Sequence, residues 1–115
     1  MRVNNIDEMV GGWFVGDFEP SVYRTKDFEI SYKLHHAGEQ WEHHFHSIAT
    51  EYNLLIKGEM TMCETKLTSG DIFTVFPDEV ADPVFHTDCE VVCVKVPSVI
   101  GDKHIVEPRK QSPTS

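Results

Sequence analysis

The sequence lacks what several protein classes require. Cysteine is sparse: Cys63, Cys89 and Cys93 are the only three in 115 residues. An odd, scattered set excludes a disulfide framework. Cys89 and Cys93 are four apart in a strand-like segment, which sets their Cα atoms roughly 13 Å apart, beyond a disulfide or a shared metal. All three are expected as reduced, mostly packed thiols. There is no run of 18 apolar residues, so no apolar helix spans a membrane. Met1 to Glu8 lacks the apolar core of a signal peptide, and the cytoplasm is the expected location. Basic residues are scarce as well: 10 Lys+Arg face 19 Asp+Glu, a net charge of −9. A chain this acidic repels phosphate backbones and anionic lipid, so neither nucleic acid nor membrane is an expected partner. Gly-rich phosphate loops, a nucleophile elbow and a Cys/His nucleophile pair are all missing. So is helical periodicity.

What remains is a single-domain length with an ordinary 40% of hydrophobic residues. Short apolar runs alternate with Gly, Pro, Asp and Ser, which is an all-β pattern. Strands are expected at 28–36, 43–48, 51–57, 60–63, 72–76, 84–86 and 89–96. In the first, Phe28, Ile30, Tyr32 and Leu34 share one face, read as buried, and Glu29, Ser31 and Lys33 share the other. Tyr32 and Leu34 with Phe73 and Val75 form the expected core stripe. Turns fall at Ala37-Gly38-Glu39, Gly58-Glu59, Thr68-Ser69-Gly70-Asp71 and Pro77-Asp78. Strands spaced by 8–12 residues suggest a sandwich or barrel. The expected organisation is an N-terminal extension over 1–27, a barrel over 28–107 and a mobile polar tail over 108–115. Trp13, Phe14 and Phe18 of the extension pack over a barrel end or against a second subunit.

The chemistry concentrates in the histidines, five of which lie between His35 and His46. His44 and His46 are two apart in a strand, so both point to one face with Cα atoms about 6.6 Å apart. Glu51 begins the next strand past a bend and brings a carboxylate to the same point. Two histidines and a carboxylate suit Fe(II), Mn(II), Zn(II), Ni(II) or Co(II). His-x-His alone is commonly incidental. Here it sits in a frame of five fixed points over 21 residues: Gly38, His44, His46, Glu51 and Gly58. Asn53 and Leu55 share the parity of Glu51 and line the interior. His35 and His43 have the opposite parity to His44 and face solvent or a subunit interface. His36 and Trp41 are read as structural, and His104 receives no role.

This frame resembles the first signature motif of the cupin superfamily, and the resemblance covers about residues 28 to 97. It implies a jelly-roll β-barrel of two antiparallel sheets with His44, His46 and Glu51 as metal ligands facing inward. The second cupin motif is degraded. Gly70 opens it, but the histidine that completes the metal shell falls at Ala81 or Asp82, and the glycine of its turn is replaced by Asp78 or Glu79. The fourth position is left to His86, Asp82, water or nothing. The resemblance implies a divalent metal (Fe, Zn, Ni or Mn), a small-molecule ligand or substrate, and a homodimer, for which the aromatic residues near Trp13 and Phe18 offer a surface. Two functions fit. One is a metal-dependent enzyme of isomerase, epimerase or dioxygenase type acting on a small polar molecule. The other is a non-catalytic small-ligand-binding module.

Overall fold

The computed structural model describes residues 1–106; the expected tail over 108–115 lies outside them. A short 3₁₀ turn at Ile6–Glu8 precedes eleven strands. These are β1 Trp13–Gly16, β2 Tyr23–Arg24, β3 Glu29–His35, β4 His44–His46, β5 Thr50–Lys57 and β6 Glu59–Met62. They continue with β7 Thr65–Thr68, β8 Ile72–Val75, β9 Val84–Phe85, β10 Cys89–Val96 and β11 Lys103–Ile105. The all-β expectation holds. The two-sheet description holds only loosely, since the strands form a six-stranded sheet, β2-β1-β3-β10-β5-β8, a three-stranded sheet, β7-β6-β9, and the pair β11-β4. The sheets do not close into a continuous barrel. Bridges such as His44 to Ala81 link β4 to the loop before β9 instead.

Two segments differ from the sequence reading. The N-terminal region is part of the sheet: Trp13 and Val15 pair with Ser31 and Ile30, and β2 runs parallel to β1. The region of His104 is strand β11, which pairs with the metal strand, Lys103 opposite His46 and Ile105 opposite His44.

The parity of β3 is the larger correction. Glu29, Ser31 and His35 are buried, whereas Leu34 is exposed and Ile30 and Tyr32 are half-buried. Alternation reveals two faces but does not say which one turns inward. Register across the sheet settles it. Lys95 of β10 lies between Glu29 and Glu51, Cys93 between Ser31 and Asn53, and Val91 between Lys33 and Leu55. The inner face is therefore polar at one end. At the other end it becomes a small apolar core of Leu55, Met60, Phe85, Cys89 and Val91. Phe73 packs on this core and Val75 is buried, as expected from their parity. The outer face carries Tyr52, Leu54 and Ile72, all exposed.

Turn chemistry fixes the frame. Gly58 has φ +110°, and a Cβ there would stand 2.4 Å from the Asp88 carbonyl and 2.7 Å from Cys89 Sγ. Only glycine fits that close approach. Asp78 has φ +70°, so an aspartate takes the left-handed conformation that a glycine would supply, which Asp tolerates better than most residues. Cys63 and Glu64 form the two-residue tip of the β6–β7 hairpin, both at positive φ. Cys63 is exposed there, not packed, while Cys89 and Cys93 are buried as expected.

Candidate metal centre

Strand β4 directs both of its histidines inward, and each is oriented by a carbonyl. His44 Nδ1 lies 3.4 Å from the Glu42 carbonyl and His46 Nδ1 3.3 Å from the Asp102 carbonyl. A carbonyl only accepts, so each Nδ1 is the protonated donor and each Nε2 keeps its lone pair for the interior. Glu51 enters from β5, its Oε1 3.6 Å from His46 Nε2. One ligand atom from each of the three residues gathers within 4.8 Å of the others. Two donors about 2.1 Å from one tetrahedral ion stand about 3.4 Å apart, so small side-chain rotations close the cluster onto a cation. The residues fit a divalent metal.

Electrostatics favour the ligating forms. Burial lowers the basicity of His44 and keeps its imidazole neutral, and the nearby Lys103 adds to this. For Glu51, burial opposes ionisation, but the neighbouring His46, with Lys95 and His44, holds the carboxyl below its usual range.

A feature with no local sequence signal supports the centre. Asp102 is buried, and its carboxylate accepts hydrogen bonds from the backbone N–H groups of Ser47, Ile48 and Ala49 and from Ser47 Oγ. Burial alone would raise its pKa; these donors lower it instead. The carboxylate thus pins the bend between β4 and β5, while the carbonyl of the same residue aims His46.

The fourth position is open. His86 is exposed on the three-stranded sheet, with Nε2 2.7 Å from Thr61 Oγ1, and does not join the cluster. Asp82 Oδ1 accepts from the Cys63 N–H and is likewise engaged away from it. Ala81 exchanges both backbone hydrogen bonds with His44 and lines the central cavity. The spacing counted from Gly70 therefore reaches the right place, but a methyl group stands there. Of the other histidines, His43 and His36 are exposed. His35 is buried instead of facing outward, because the Gly38 turn resets parity between β3 and β4. Its Nδ1 lies 2.6 Å from Glu39 Oε2, and its ring stacks on Phe85 at 4.3 Å.

The cavity beside the cluster has a volume of about 160 Å³ and is bounded by Trp13, Lys33, Trp41, Cys93, Lys95 and Lys103 among others. Cys93 Sγ sits 3.7 Å from Glu51 Oε2. Burial and then the Glu51 charge raise its pKa well above the ordinary thiol value, so it remains a protonated thiol. Composition and spacing left Lys33, Lys95 and Cys93 out of the site. The signal that would have found them is the polar parity of β3 and β10, read as inward.

Comparison with protein-family profiles and with curated proteins finds no match. Solved structures do match. A Klebsiella pneumoniae protein with a double-stranded β-helix domain superposes with a TM-score of 0.66 at 22% identity, over 94% of this chain and 99% of that one. KdgF from Halomonas sp. gives 0.57 at 18% identity, over 64% and 72%. The Escherichia coli pirin YhhW, in complex with nickel(II), gives 0.64 at 18% identity, over 76% of this chain and 39% of that one. At these identities the likeness is one of fold. The chain has the cupin fold, the double-stranded β-helix.

Proposed function

We propose that this protein is a metal-dependent enzyme acting on a small polar molecule, of isomerase, epimerase or dioxygenase type. The observation that carries this reading is an open position: Ala81 leaves one side of the His44–His46–Glu51 cluster facing a cavity that holds further titratable groups, Lys33, Lys95 and Lys103. A bound divalent ion supplies Lewis-acid polarisation of a substrate oxygen. The chain's own residues do the rest. His44 and His46 are locked in the ligating tautomer by their carbonyl partners. Trp13 and Trp41 form aromatic walls that exclude water and orient a flat or polar ligand. Cys93 stays a neutral thiol against Glu51. The nickel complex of the pirin with the same fold supports a divalent metal.

The test pairs metal content with turnover. Protein loaded with Fe, Zn, Ni or Mn is screened for isomerisation and oxygen consumption on small hydroxy-carbonyl compounds, alongside His44→Ala. Loss of metal and of any turnover together in the variant supports the enzyme. Ligand binding without turnover in every metal form supports the non-catalytic module, whose specific support is the missing fourth ligand at Ala81. Residence in the cytoplasm and homodimerisation belong to the same proposal. Three unpaired thiols suit a reducing compartment. Trp13, Phe14 and Phe18 are half-buried within the chain, so the surface for pairing moves to the exposed outer face of the six-stranded sheet around Tyr52, Leu54 and Ile72.

A further inference from the structure

The chain is strongly acidic, yet three of its 10 basic residues bound one cavity, against the single carboxylate of Glu51. Their environments differ. Lys95 is neutralised by Glu29 at 3.9 Å, with both side chains largely buried. Lys33 and Lys103 have no carboxylate within 4.0 Å among the described residues. Both ammonium groups sit over the same ring, Lys33 Nζ 5.2 Å and Lys103 Nζ 5.5 Å from the centre of Trp41. Lys33 Nζ is also 4.9 Å and Lys95 Nζ 4.7 Å from the ring of Trp13. Each contact is weakly favourable. Bringing like charges together is not: Lys103 is exposed but Lys33 is half-buried, and Lys33 is destabilised as a cation first by burial and further by Lys103 and Lys95. Glu51 does not resolve this, because it serves the metal cluster.

We infer that Lys33 and Lys103 form an anion cradle beside the metal centre, and that the molecule this site takes carries a carboxylate or phosphate group. The inference names the substrate class of the proposed enzyme and rests on that reading for the role of the bound molecule. Register supports the placement: Lys103 is paired with His46 across β11 and β4, so its side chain leaves the same face as the metal ligand. Lys33 shares the inner face with Ser31 and His35. A cavity of about 150 Å³ admits a benzene-sized molecule. The cavity at about 160 Å³ therefore suits a small acid or phosphoester, and a polymer would enter by one end only.

The protein reports on this site itself, since its only two tryptophans are Trp13 and Trp41. Metal-free full-length protein at low salt is titrated with glycerate, glycerol 2-phosphate and glycerol, three compounds of similar skeleton that differ in charge. The expected result is a saturable fluorescence change with at least one anion and none with glycerol. A response to glycerate alone identifies a carboxylate site, and one to the phosphoester alone a phosphate site. Lys33→Gln and Lys103→Gln each weaken binding by about tenfold or more. Lys33→Arg keeps the charge and most of the binding, which separates loss of charge from loss of packing. Exposed Lys66→Gln changes nothing. Equal binding of glycerol and the anions, or equal weakening by Lys66→Gln, overturns the inference. The two readings fail separately. An anion response in a wild type that retains no metal sinks the metal reading and leaves this one. Stoichiometric metal with no preference for anions sinks this one alone.

Discussion

The two faces of the six-stranded sheet are composed against expectation. The inner face carries Glu29, Ser31, Lys33 and His35 on β3 and opposes them with Lys95 and Cys93 on β10. The outer face carries Ile30, Tyr32 and Leu34, and beyond β10 it continues through Tyr52, Leu54 and Ile72. In a domain whose only task is to fold, the apolar face turns inward because burial of apolar surface stabilises it by about 25 cal/mol per Å². Here that gain is given up at one end of the interior. Buried polar groups are costly unless they are hydrogen-bonded or paired, and the polar end is where His44, His46 and Glu51 gather. The apolar core is confined to the far end, where Leu55, Met60, Phe85 and Cys89 meet.

Substitutions on the two faces test this contrast. The largest effect is expected in the apolar end. Leu55 is fully buried, and Leu55→Ala should cost roughly 2–5 kcal/mol in chemical denaturation; a loss under about 1 kcal/mol would mean that this end is not the core.

A pH effect comes next. Burial holds the pKa of His35 below its ordinary value, with the hydrogen bond to Glu39 acting the other way. The folded state then binds this proton less readily than the unfolded chain. The stability tied to His35 is complete at pH 7.5 and declines as the pH falls through about 6.5. The melting midpoint should drop between pH 7.5 and 5.5, and less so in His35→Phe. An unchanged pH profile in the variant would remove His35 from the polar interior's energetics.

The outer face should be nearly silent within one chain. Leu54→Asp is expected to change chain stability by under about 1 kcal/mol but to convert a dimer to a monomer in sedimentation. A monomeric wild type at micromolar concentration would contradict the pairing. The smallest effect belongs to Ser31, whose buried hydroxyl has no hydrogen-bond partner. Ser31→Ala should be neutral or slightly stabilising; a loss of 1 kcal/mol or more would show that the hydroxyl has a partner in solution.

These two faces also explain how much was legible in the sequence. The glycine–histidine–glutamate frame was readable because its spacing is local: two ligands share one strand and the third begins the next. Strands β3 to β6 and β8 to β10 were readable from alternation and turn residues, whereas β7, Thr65–Thr68, was not. The inward side of β3 was not, since alternation is symmetric and tertiary register decides it. Asp102 and β11 were not, because they reach the site from more than 50 residues away in sequence. The missing fourth ligand was readable as a gap at Ala81; that His86 does not fill it depends on the β6–β9 pairing, beside which the His86 N–H donates to the Glu59 carbonyl and its ring meets Thr61.

The most direct test of the account is the metal content of the purified protein, by elemental analysis with anomalous scattering at the site. The account predicts about one divalent ion per chain, bound by one nitrogen each of His44 and His46 at about 2.1 Å and by a Glu51 oxygen, and lost in His44→Ala. Full-length protein that retains none of iron, zinc, nickel or manganese after loading, or that retains the metal equally in His44→Ala, would contradict it.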